Sequence, residues 1–263
     1  MGNKTESNPW YEEYFGSDYL LIDVQRNTPK EVRFLRKVLN LKRGIRLLDV
    51  GCGYGRHLIP LVEQGIDIVG SDLSQFMLQE TIRRTKAAAK ISKRKINHLT
   101  SFLTKGPRLV RGDNRTLPFE GVFDCACNMF NSFGYYHDER DNYRMLVSVA
   151  QALKPGGLFL LDLVNRDFVL RLDSRKDWFE RNGAVILEDK WYDPILNRSE
   201  IDVTVIDKKG KRNYHHSIRL YSLTELTMLL EAAGFEVIRV YGGFDGNEFD
   251  LEQDRMLILA RAC

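Results

Sequence analysis

A glycine-rich loop directly after a short apolar segment constrains the fold of this chain more than any other feature of its sequence. Residues 45–50 form an apolar run typical of a buried strand, and the run continues into Gly51, Gly53 and Gly55. Clustered glycines permit positive φ angles and let the backbone approach a ligand closely. A helix is predicted to begin near His57, and its first N–H groups suit an anionic group. The loop therefore predicts an α/β unit with a binding site between strand and helix.

Strands and helices alternate through the first two thirds of the 263 residues. Further apolar strands are predicted at residues 66–70, 109–110, 122–129 and 158–164, with amphipathic helices between them. Such alternation indicates βαβ units and a mainly parallel sheet. After residue 167 the pattern changes to strands predicted at residues 184–192, 200–206 and 213–220, and the chain closes with a hairpin of residues 235–241 and 255–261. The sequence thus predicts an α/β core with an antiparallel β insertion.

Two acidic residues accompany the glycine loop. Asp49 lies two residues before the first glycine. A pyrophosphate gains nothing from a carboxylate there, but a ligand with a cationic amino group does. Asp72 ends the next predicted strand, about 20 residues on, where an acidic side chain can hold ribose hydroxyls. Because both acids lie at the carboxyl ends of adjacent strands, they predict a nucleoside site.

The loop resembles the signature of the class I S-adenosylmethionine-dependent methyltransferases, and four further segments resemble that family in the same order. The resemblance implies a Rossmann-like seven-stranded sheet of order 3-2-1-4-5-7-6, in which the last strand is antiparallel. It also implies a site for S-adenosylmethionine and its product S-adenosylhomocysteine. The predicted cofactor residues there are Asp49, Gly51, Cys52, Gly53, Gly55 and Arg56 around the loop, Asp72 and Leu73 at ribose and adenine, Asp113 and Asn114 at the adenine edge, and Asn128 and Met129 at the methionyl part.

NAD is the alternative cofactor. Its fingerprint is G-x-G-x-x-G, whereas the third glycine of this loop comes one residue early and Arg56 follows it. The spacing therefore favours S-adenosylmethionine.

The methyl acceptor is predicted to bind near the segments that follow the fourth and fifth strands. Tyr135, Tyr136 and His137 are the catalytic candidates, since aromatic faces suit a methylammonium group and a histidine can act as a general base. His137 could equally be an exposed residue at a helix start. The candidate acceptor wall comprises Tyr135, Tyr136, Asn165, Arg166, Arg219 and Tyr221. Either arginine could bind a carboxylate or phosphate, or be a structural ion-pair partner, and Tyr221 could simply pack on the hairpin.

The N-terminal aromatic residues, from Trp10 to Tyr19, are expected either to fold over the bound cofactor as a lid or to pack on the core as a helix. Tyr19 is the candidate for a contact to the cofactor's carboxylate. We therefore divide the chain into a lid segment (residues 1–29), a methyltransferase core (residues 30–166 and 220–263) and a β-rich insertion at the substrate site (residues 167–219).

A basic segment at residues 83–111 keeps a second class of acceptor open. It carries ten Lys and Arg and no acidic residue, and its one Phe, at position 102, does not make the aromatic interleaving of a nucleic-acid track. Three functions remain: a methyltransferase acting on N or O of a small molecule, one acting on RNA or protein docked on this segment, and a non-catalytic cofactor-binding module.

The spacing of the cysteines and the polarity of the N-terminal residues indicate the cellular compartment that we expect for the chain. The four cysteines lack metal-ligand spacing, which predicts reduced thiols and no metal site. The N-terminal residues are polar, without an apolar signal core, and no apolar run is long enough to span a membrane. We expect a cytoplasmic protein without a membrane partner.

Overall fold

The computed structural model describes residues 10–23, 25, 27–92, 107–172 and 175–263. The chain begins with the helices α1 (Trp10–Tyr14), α2 (Tyr19–Ile22) and α3 (Thr28–Val38). Core strands follow as β1 (Arg46–Val50), β2 (Asp67–Asp72), β3 (Arg108–Arg111), β4 (Phe123–Asn128) and β5 (Leu153–Val164). The helices between them are α4 (Leu58–Glu63), α5 (Gln75–Ser92) and α6 (Glu139–Ala152).

The second half of the chain leaves this core and returns to it. A short helix, α7 (Arg166–Val169), leads to four strands, β6 (Arg175–Arg181), β7 (Ala184–Asp193), β8 (Arg198–Asp207) and β9 (Gly210–Arg219). The chain then closes with α8 (Leu223–Ala232), β10 (Phe235–Tyr241) and β11 (Arg255–Ala262).

The core sheet has the order β10-β11-β5-β4-β1-β2-β3. Strand β1 pairs in parallel with β2 and β4, whereas β11 is antiparallel to both β5 and β10. Since β11 is the seventh core strand, this is the predicted order 3-2-1-4-5-7-6 with the last strand antiparallel. The predicted fold is confirmed, and so is an antiparallel insertion after the fifth strand.

Helices cover both faces of the core sheet, which explains why β1 is apolar along most of its length. Leu48 and Val50 belong to the cluster formed with α6 and α8, whereas Leu47 belongs to the cluster formed with α3 and α4. All three leucine and valine side chains are fully buried. A parallel strand enclosed on both faces reads as a continuous apolar run. Asp49, in the middle of that run, is therefore a conspicuous exception.

Strands β6–β9 form a separate antiparallel sheet, called here the insertion sheet. Its inner face carries Ile186, Val203 and Val205, which pack against Tyr14 and Ile22 of the first two helices. Helices α1 and α2, called here the lid helices, therefore rest on the insertion sheet. Residues 1–9 of the predicted lid segment lie outside the described residues.

Strand β6 was not predicted from the sequence. Its segment Arg175–Arg181 is mostly charged, lies largely exposed at the edge of the insertion sheet, and shows no alternation of apolar and polar residues. A largely exposed edge strand has no periodic signal.

None of the described helices is long and apolar enough to cross a membrane.

Candidate active site

A cavity of about 540 Å³ lies between the lid helices and the loops that follow β1, β2 and β4. Parallel strands present their carboxyl ends at one sheet edge, and ligands of open α/β sheets bind there. Most of the predicted site residues line this cavity, namely Tyr19, Gly51, Cys52, Gly53, Arg56, Asp72, Leu73, Asp113, Asn114, Met129, Tyr135, Tyr136 and His137.

The three loop glycines have positive φ angles and serve different purposes. A Cβ at Gly51 would lie 2.9 Å from Cβ of Ser132, and one at Gly55 would lie 2.7 Å from Cγ2 of Thr81. At Gly53 a Cβ would meet no described atom within 4 Å. Gly51 and Gly55 thus let the loop pack closely, whereas Gly53 keeps the backbone open toward the cavity that it lines.

Asp72 fastens the glycine loop to the end of β2. Its Oδ2 accepts a hydrogen bond from the backbone N–H of Gly53 at 2.8 Å, and its Oδ1 accepts one from that of Ser74 at 2.9 Å. Burial raises the pKa of this carboxyl above its ordinary value. Each carboxylate oxygen has more than one lone pair, so both can still accept from hydroxyls in the cavity. The position suits a pair of ribose hydroxyls.

Three buried polar atoms around the loop have no hydrogen-bond partner among the described residues. They are Oδ2 of Asp49, Nη2 of Arg56 and Oδ1 of Asn128. Of these residues Arg56 lines the cavity, whereas Asp49 and Asn128 lie directly behind its lining. Buried polar groups are normally paired, so orphaned ones here call for a ligand or water. A carboxylate oxygen, an amide oxygen and a guanidinium nitrogen together fit a zwitterionic amino-acid group. These residues therefore fit the methionyl part of S-adenosylmethionine.

Arg56 is held in place by a buried ion pair. Glu31 of α3 accepts from Nη1 of Arg56 and lies 2.7 Å from Nε2 of His57. Glu31 is almost completely buried, and although burial acts to raise its pKa, the contacts to His57 and Arg56 lower it. The guanidinium also stacks on the ring of Phe130 at 4.8 Å. This support leaves Nη2 as the donor without a described partner.

Asp113 and Tyr136 form the opposite wall. The Tyr136 hydroxyl donates to Oδ1 of Asp113 at 2.9 Å, and Arg115 pairs with both Asp113 and Asp141. Burial acts to raise the pKa of Asp113, but the hydrogen bonds from Arg115 and Tyr136 outweigh it and the pKa is lowered. Asn114 accepts from Oγ of Ser71 at 3.0 Å. This wall of the cavity is thus a connected polar network of hydrogen bonds and ion pairs.

Comparison with known proteins identifies the family. A family model described as a methyltransferase domain matches residues 21–240. The chain belongs to the methyltransferase domain family. The predicted family, the methyltransferase class of enzyme and the cofactor S-adenosylmethionine are thereby confirmed.

The individual relatives share less than a third of their aligned residues with this chain. A glycine/sarcosine N-methyltransferase from Halorhodospira halochloris is 27% identical over 244 residues, which cover 91% of this chain and 84% of that protein. A dTDP-3-amino-3,4,6-trideoxy-alpha-D-glucopyranose N,N-dimethyltransferase from Streptomyces venezuelae is 28% identical and covers 76% and 79%. The structure of the CcbJ methyltransferase from Streptomyces caelestis superposes with a TM-score of 0.77 at 19% identity, covering 96% and 98%.

Aromatic side chains from the lid helices complete the cavity of this methyltransferase. Phe15 lies 5.0 Å from Tyr19 and 5.6 Å from Tyr135, measured between ring centroids. Asp23, at the end of α2, lines the same cavity and accepts from the Tyr54 hydroxyl at 2.6 Å. Asp23 was not predicted as a site residue, and nothing in its local spacing marks it, because α2 and the glycine loop meet only in the folded chain. Phe15 lies among the aromatic residues of the predicted lid and Tyr54 lies within the predicted glycine loop, but neither was singled out as a site residue.

Four predicted acceptor residues lie outside the cavity. Arg166 and Arg219 both pair with Glu225 at the start of α8, at 3.2 and 2.8 Å. The Asn165 amide donates to the carbonyls of Asp250 and Gln253. Tyr221 is buried beneath Arg219 and beside Phe133. The structure therefore favours the ion-pair alternative for both arginines and the packing alternative for Tyr221.

Two further predicted residues support the cavity from behind. Asn128 is fully buried, and its amide donates to the carbonyl of Val50 at 2.8 Å. Asp49 lies one layer below the glycines, where Sγ of Cys127 donates to its Oδ1. His137 is exposed at the cavity mouth. Across the described ranges, no group of three or more His, Cys, Asp or Glu is placed to hold a metal ion.

The described part of the basic segment is largely engaged in ion pairs. Arg83 and Arg84 both contact Glu80, Arg108 contacts Asp67, and Arg111 contacts Glu12. Residues 93–106, the centre of this segment, lie outside the described residues.

Proposed function

We propose that this chain transfers a methyl group from S-adenosylmethionine to an amine nitrogen of a small-molecule acceptor. The observation that carries the proposal is the continuity of one cavity from the nucleoside wall at Asp72 and Asp113 to the aromatic wall at Tyr19 and Tyr135. The lid helices cover this cavity, which suits a small acceptor. Both relatives described above are named as N-methyltransferases of small molecules.

The residues present fit the cofactor. When bound, S-adenosylmethionine would supply a methyl group on a sulfonium sulfur, which an acceptor nitrogen can take in line as the carbon–sulfur bond breaks and S-adenosylhomocysteine leaves. In our proposal Asp72 accepts the ribose hydroxyls. Asp49 accepts from the amino group of the methionyl part, and Arg56 donates to its carboxylate. Each assignment gives an orphaned or half-used polar atom the partner that its burial requires.

The protein's contribution to transfer is alignment and exclusion of water. Holding the reacting groups in line converts a bimolecular step into an effectively unimolecular one. We propose that Tyr135 contacts the acceptor, while Tyr136 positions Asp113 through its hydroxyl. The exposure of His137 favours its alternative as a helix-start residue over general base catalysis. A dedicated base is not required when the amine loses its proton beforehand.

The cofactor assignment is tested with Asp72→Ala and Asp72→Asn. We expect the dissociation constant for S-adenosylmethionine to rise at least about tenfold in both, because each lost charged hydrogen bond contributes about 1.5–3 kcal/mol. Asp67→Ala, at the opposite end of β2, is the matched control and should leave affinity unchanged. Titration calorimetry measures all three. Unchanged affinity in both Asp72 variants contradicts the ribose assignment.

Turnover is tested by incubating the protein with methyl-labelled cofactor and a metabolite extract, then identifying labelled products by mass. A labelled small amine supports the proposal. Label in RNA or protein instead supports docking on the basic segment, and cofactor binding without any labelled product supports a non-catalytic module.

Our proposal also includes the cytoplasmic location and the division of the chain into lid segment (residues 1–29), core (residues 30–166 and 220–263) and insertion (residues 167–219).

A further inference from the structure

We infer that Asp23 and the aromatic side chains around it form a subsite for a cationic amine that carries no carboxylate next to its nitrogen. The inference rests on the proposed function and names the class of acceptor. It would separate this chain from enzymes whose acceptor is an amino acid.

Asp23 is held in a defined position within the cavity. It directly follows α2, and its backbone carbonyl accepts from Nη1 of Arg181 on β6 at 2.5 Å. Its Oδ2 accepts from the Tyr54 hydroxyl at 2.6 Å, and that ring is itself covered by the guanidinium of Arg84 at 4.2 Å. Lid, insertion sheet and glycine loop thus converge on one residue, whose carboxylate is oriented by Tyr54 and whose backbone is held by Arg181. Its side chain is only half-buried, so the carboxylate can meet a ligand.

Aromatic rings surround this part of the cavity. Phe15 contacts both Tyr19 and Tyr135 edge to face, and all three line the cavity with Tyr54. Tyr14 extends the group below Tyr19, at 5.6 Å between ring centroids. Ring faces attract a cation through their quadrupole, most strongly where water is excluded. A carboxylate among ring faces is the chemistry that recognises an ammonium group. The amine binds in this form and becomes the nucleophile once it has given one proton to water, which frees the lone pair that forms the new bond to the methyl carbon.

The cations that line the described cavity are already paired. They are Arg56, bound to Glu31, and Arg115, bound to Asp113 and Asp141. The proposed function assigns the remaining nitrogen of Arg56 to the cofactor. Arg166 and Arg219, which could have received a carboxylate, pair with Glu225 outside the cavity. Within the described part of the chain, an acceptor carboxylate would therefore face Asp23 without a counter-charge.

Like charges that approach in a partly desolvated site repel strongly. Glycine or sarcosine would bring such a carboxylate within two bonds of the reacting nitrogen. An amine whose neighbouring carbons carry hydrogen or hydroxyl groups meets no such penalty. Asp23 thus selects both for the positive charge and against the amino-acid zwitterion.

The test uses the full chain saturated with S-adenosylhomocysteine, and the probes are tetramethylammonium and glycine. Saturation-transfer NMR titrations give the affinity of each probe for wild type, Asp23→Asn, Tyr54→Phe and Asp138→Asn. Asp138 is the matched control, since it lines the same cavity but its carboxylate is engaged by Arg140. Binding of S-adenosylhomocysteine is measured first, by calorimetry, in every variant.

We expect tetramethylammonium to bind wild type and Asp138→Asn equally, and Asp23→Asn at least fivefold more weakly. Glycine should not compete with it. Tyr54→Phe removes only the hydroxyl that orients Asp23 and should weaken tetramethylammonium binding about twofold to threefold, which keeps the test valid if Asp23→Asn does not fold. Equal binding to wild type and both site variants, competition by glycine, or no binding of tetramethylammonium overturns the inference. If S-adenosylhomocysteine fails to bind wild type, the proposed function fails with it.

Discussion

Asp49, which our proposal assigns to the amino group of the cofactor, is a residue whose burial has a cost to folding. Its side chain is 1% exposed, and its Oδ2 lacks a partner in the described structure. Burial raises the pKa of this carboxyl from 3.8 to about 6, against the opposing effects of His57 and the Cys127 hydrogen bond. An ionised carboxylate in an apolar layer destabilises the fold unless a cation meets it. The amino group of the cofactor would be that cation.

The pH dependence of stability follows from that shift. Between pH 3.8 and about 6 the folded state binds more protons than the unfolded state, so the free energy of unfolding falls as pH rises through this window. Asp49→Asn removes the ionisation, and we expect it to stabilise the cofactor-free protein at pH 7 by up to about 3 kcal/mol. It should also weaken cofactor binding. Urea unfolding at pH 5 and 7 measures the change in stability, and calorimetry measures the change in cofactor affinity. Identical pH dependence of the free energy of unfolding in wild type and Asp49→Asn would contradict the predicted role of Asp49 ionisation.

At the scale of elements, the lid helices are short and depend on the insertion sheet for their position. Isolated helices of four or five residues are not stable in water. Tyr14 packs on His216 of β9 at 4.3 Å between ring centroids. Asp18, just before α2, accepts from Nε of Arg212 at 2.5 Å and from the Tyr214 hydroxyl at 2.9 Å. The insertion sheet thereby holds the cover of the cofactor cavity.

Breaking this connection should release the cofactor faster. We expect Asp18→Asn to raise the dissociation rate of S-adenosylmethionine about threefold to tenfold, because a largely buried ion pair with Arg212 loses its negative partner. Asp207→Asn is the matched control. Asp207 pairs with the same Arg212 but belongs to the β8–β9 hairpin and does not touch the lid. Stopped-flow displacement measures both rates, and equal rates would show that the lid does not limit release.

At the scale of the whole molecule, Arg198 joins the insertion sheet to the core. It is 4% exposed, and its guanidinium donates to the carbonyls of Gly134, Tyr135 and Tyr136 after β4 and to Ser217 of β9. Burial lowers the pKa of this arginine below its ordinary value. One side chain thus satisfies the backbone of the loop that carries Tyr135 and Tyr136, so the two sheets share a buried polar contact.

Removing the Arg198 side chain should lower the stability of the whole protein. We expect Arg198→Ala to lower the free energy of unfolding by about 2–4 kcal/mol, since several buried carbonyls lose their donors. Arg144→Ala, where the side chain is 68% exposed in a surface ion pair, should change it by less than about 0.5 kcal/mol. Chemical denaturation followed by circular dichroism gives both values. A change below about 1 kcal/mol for Arg198→Ala would contradict the shared contact.

Some site residues are indicated by a local sequence pattern, whereas others come together only through contacts between distant segments. Gly51, Gly53 and Asp72 were predictable because a strand end, a tight loop and an acid one strand later are local patterns. Asp23 and Tyr54 meet across 31 positions of the chain, and although Tyr54 lies within the glycine loop, no local pattern around Asp23 indicates that contact. Arg166 and Arg219 have the charge for anion binding, but both pair with Glu225 of α8. The residues next to each arginine in the sequence do not indicate that pairing.

By itself, the sequence determined the α/β class, the cofactor loop and the acids at two strand ends, because backbone conformation and strand periodicity depend on neighbouring residues. The order of the sheet came through the resemblance of ordered motifs to a known family. Only the tertiary structure decided which side chains face the acceptor. That choice depends on how the lid helices and the insertion sheet pack over the core, and on which charges neutralise one another there before any ligand arrives.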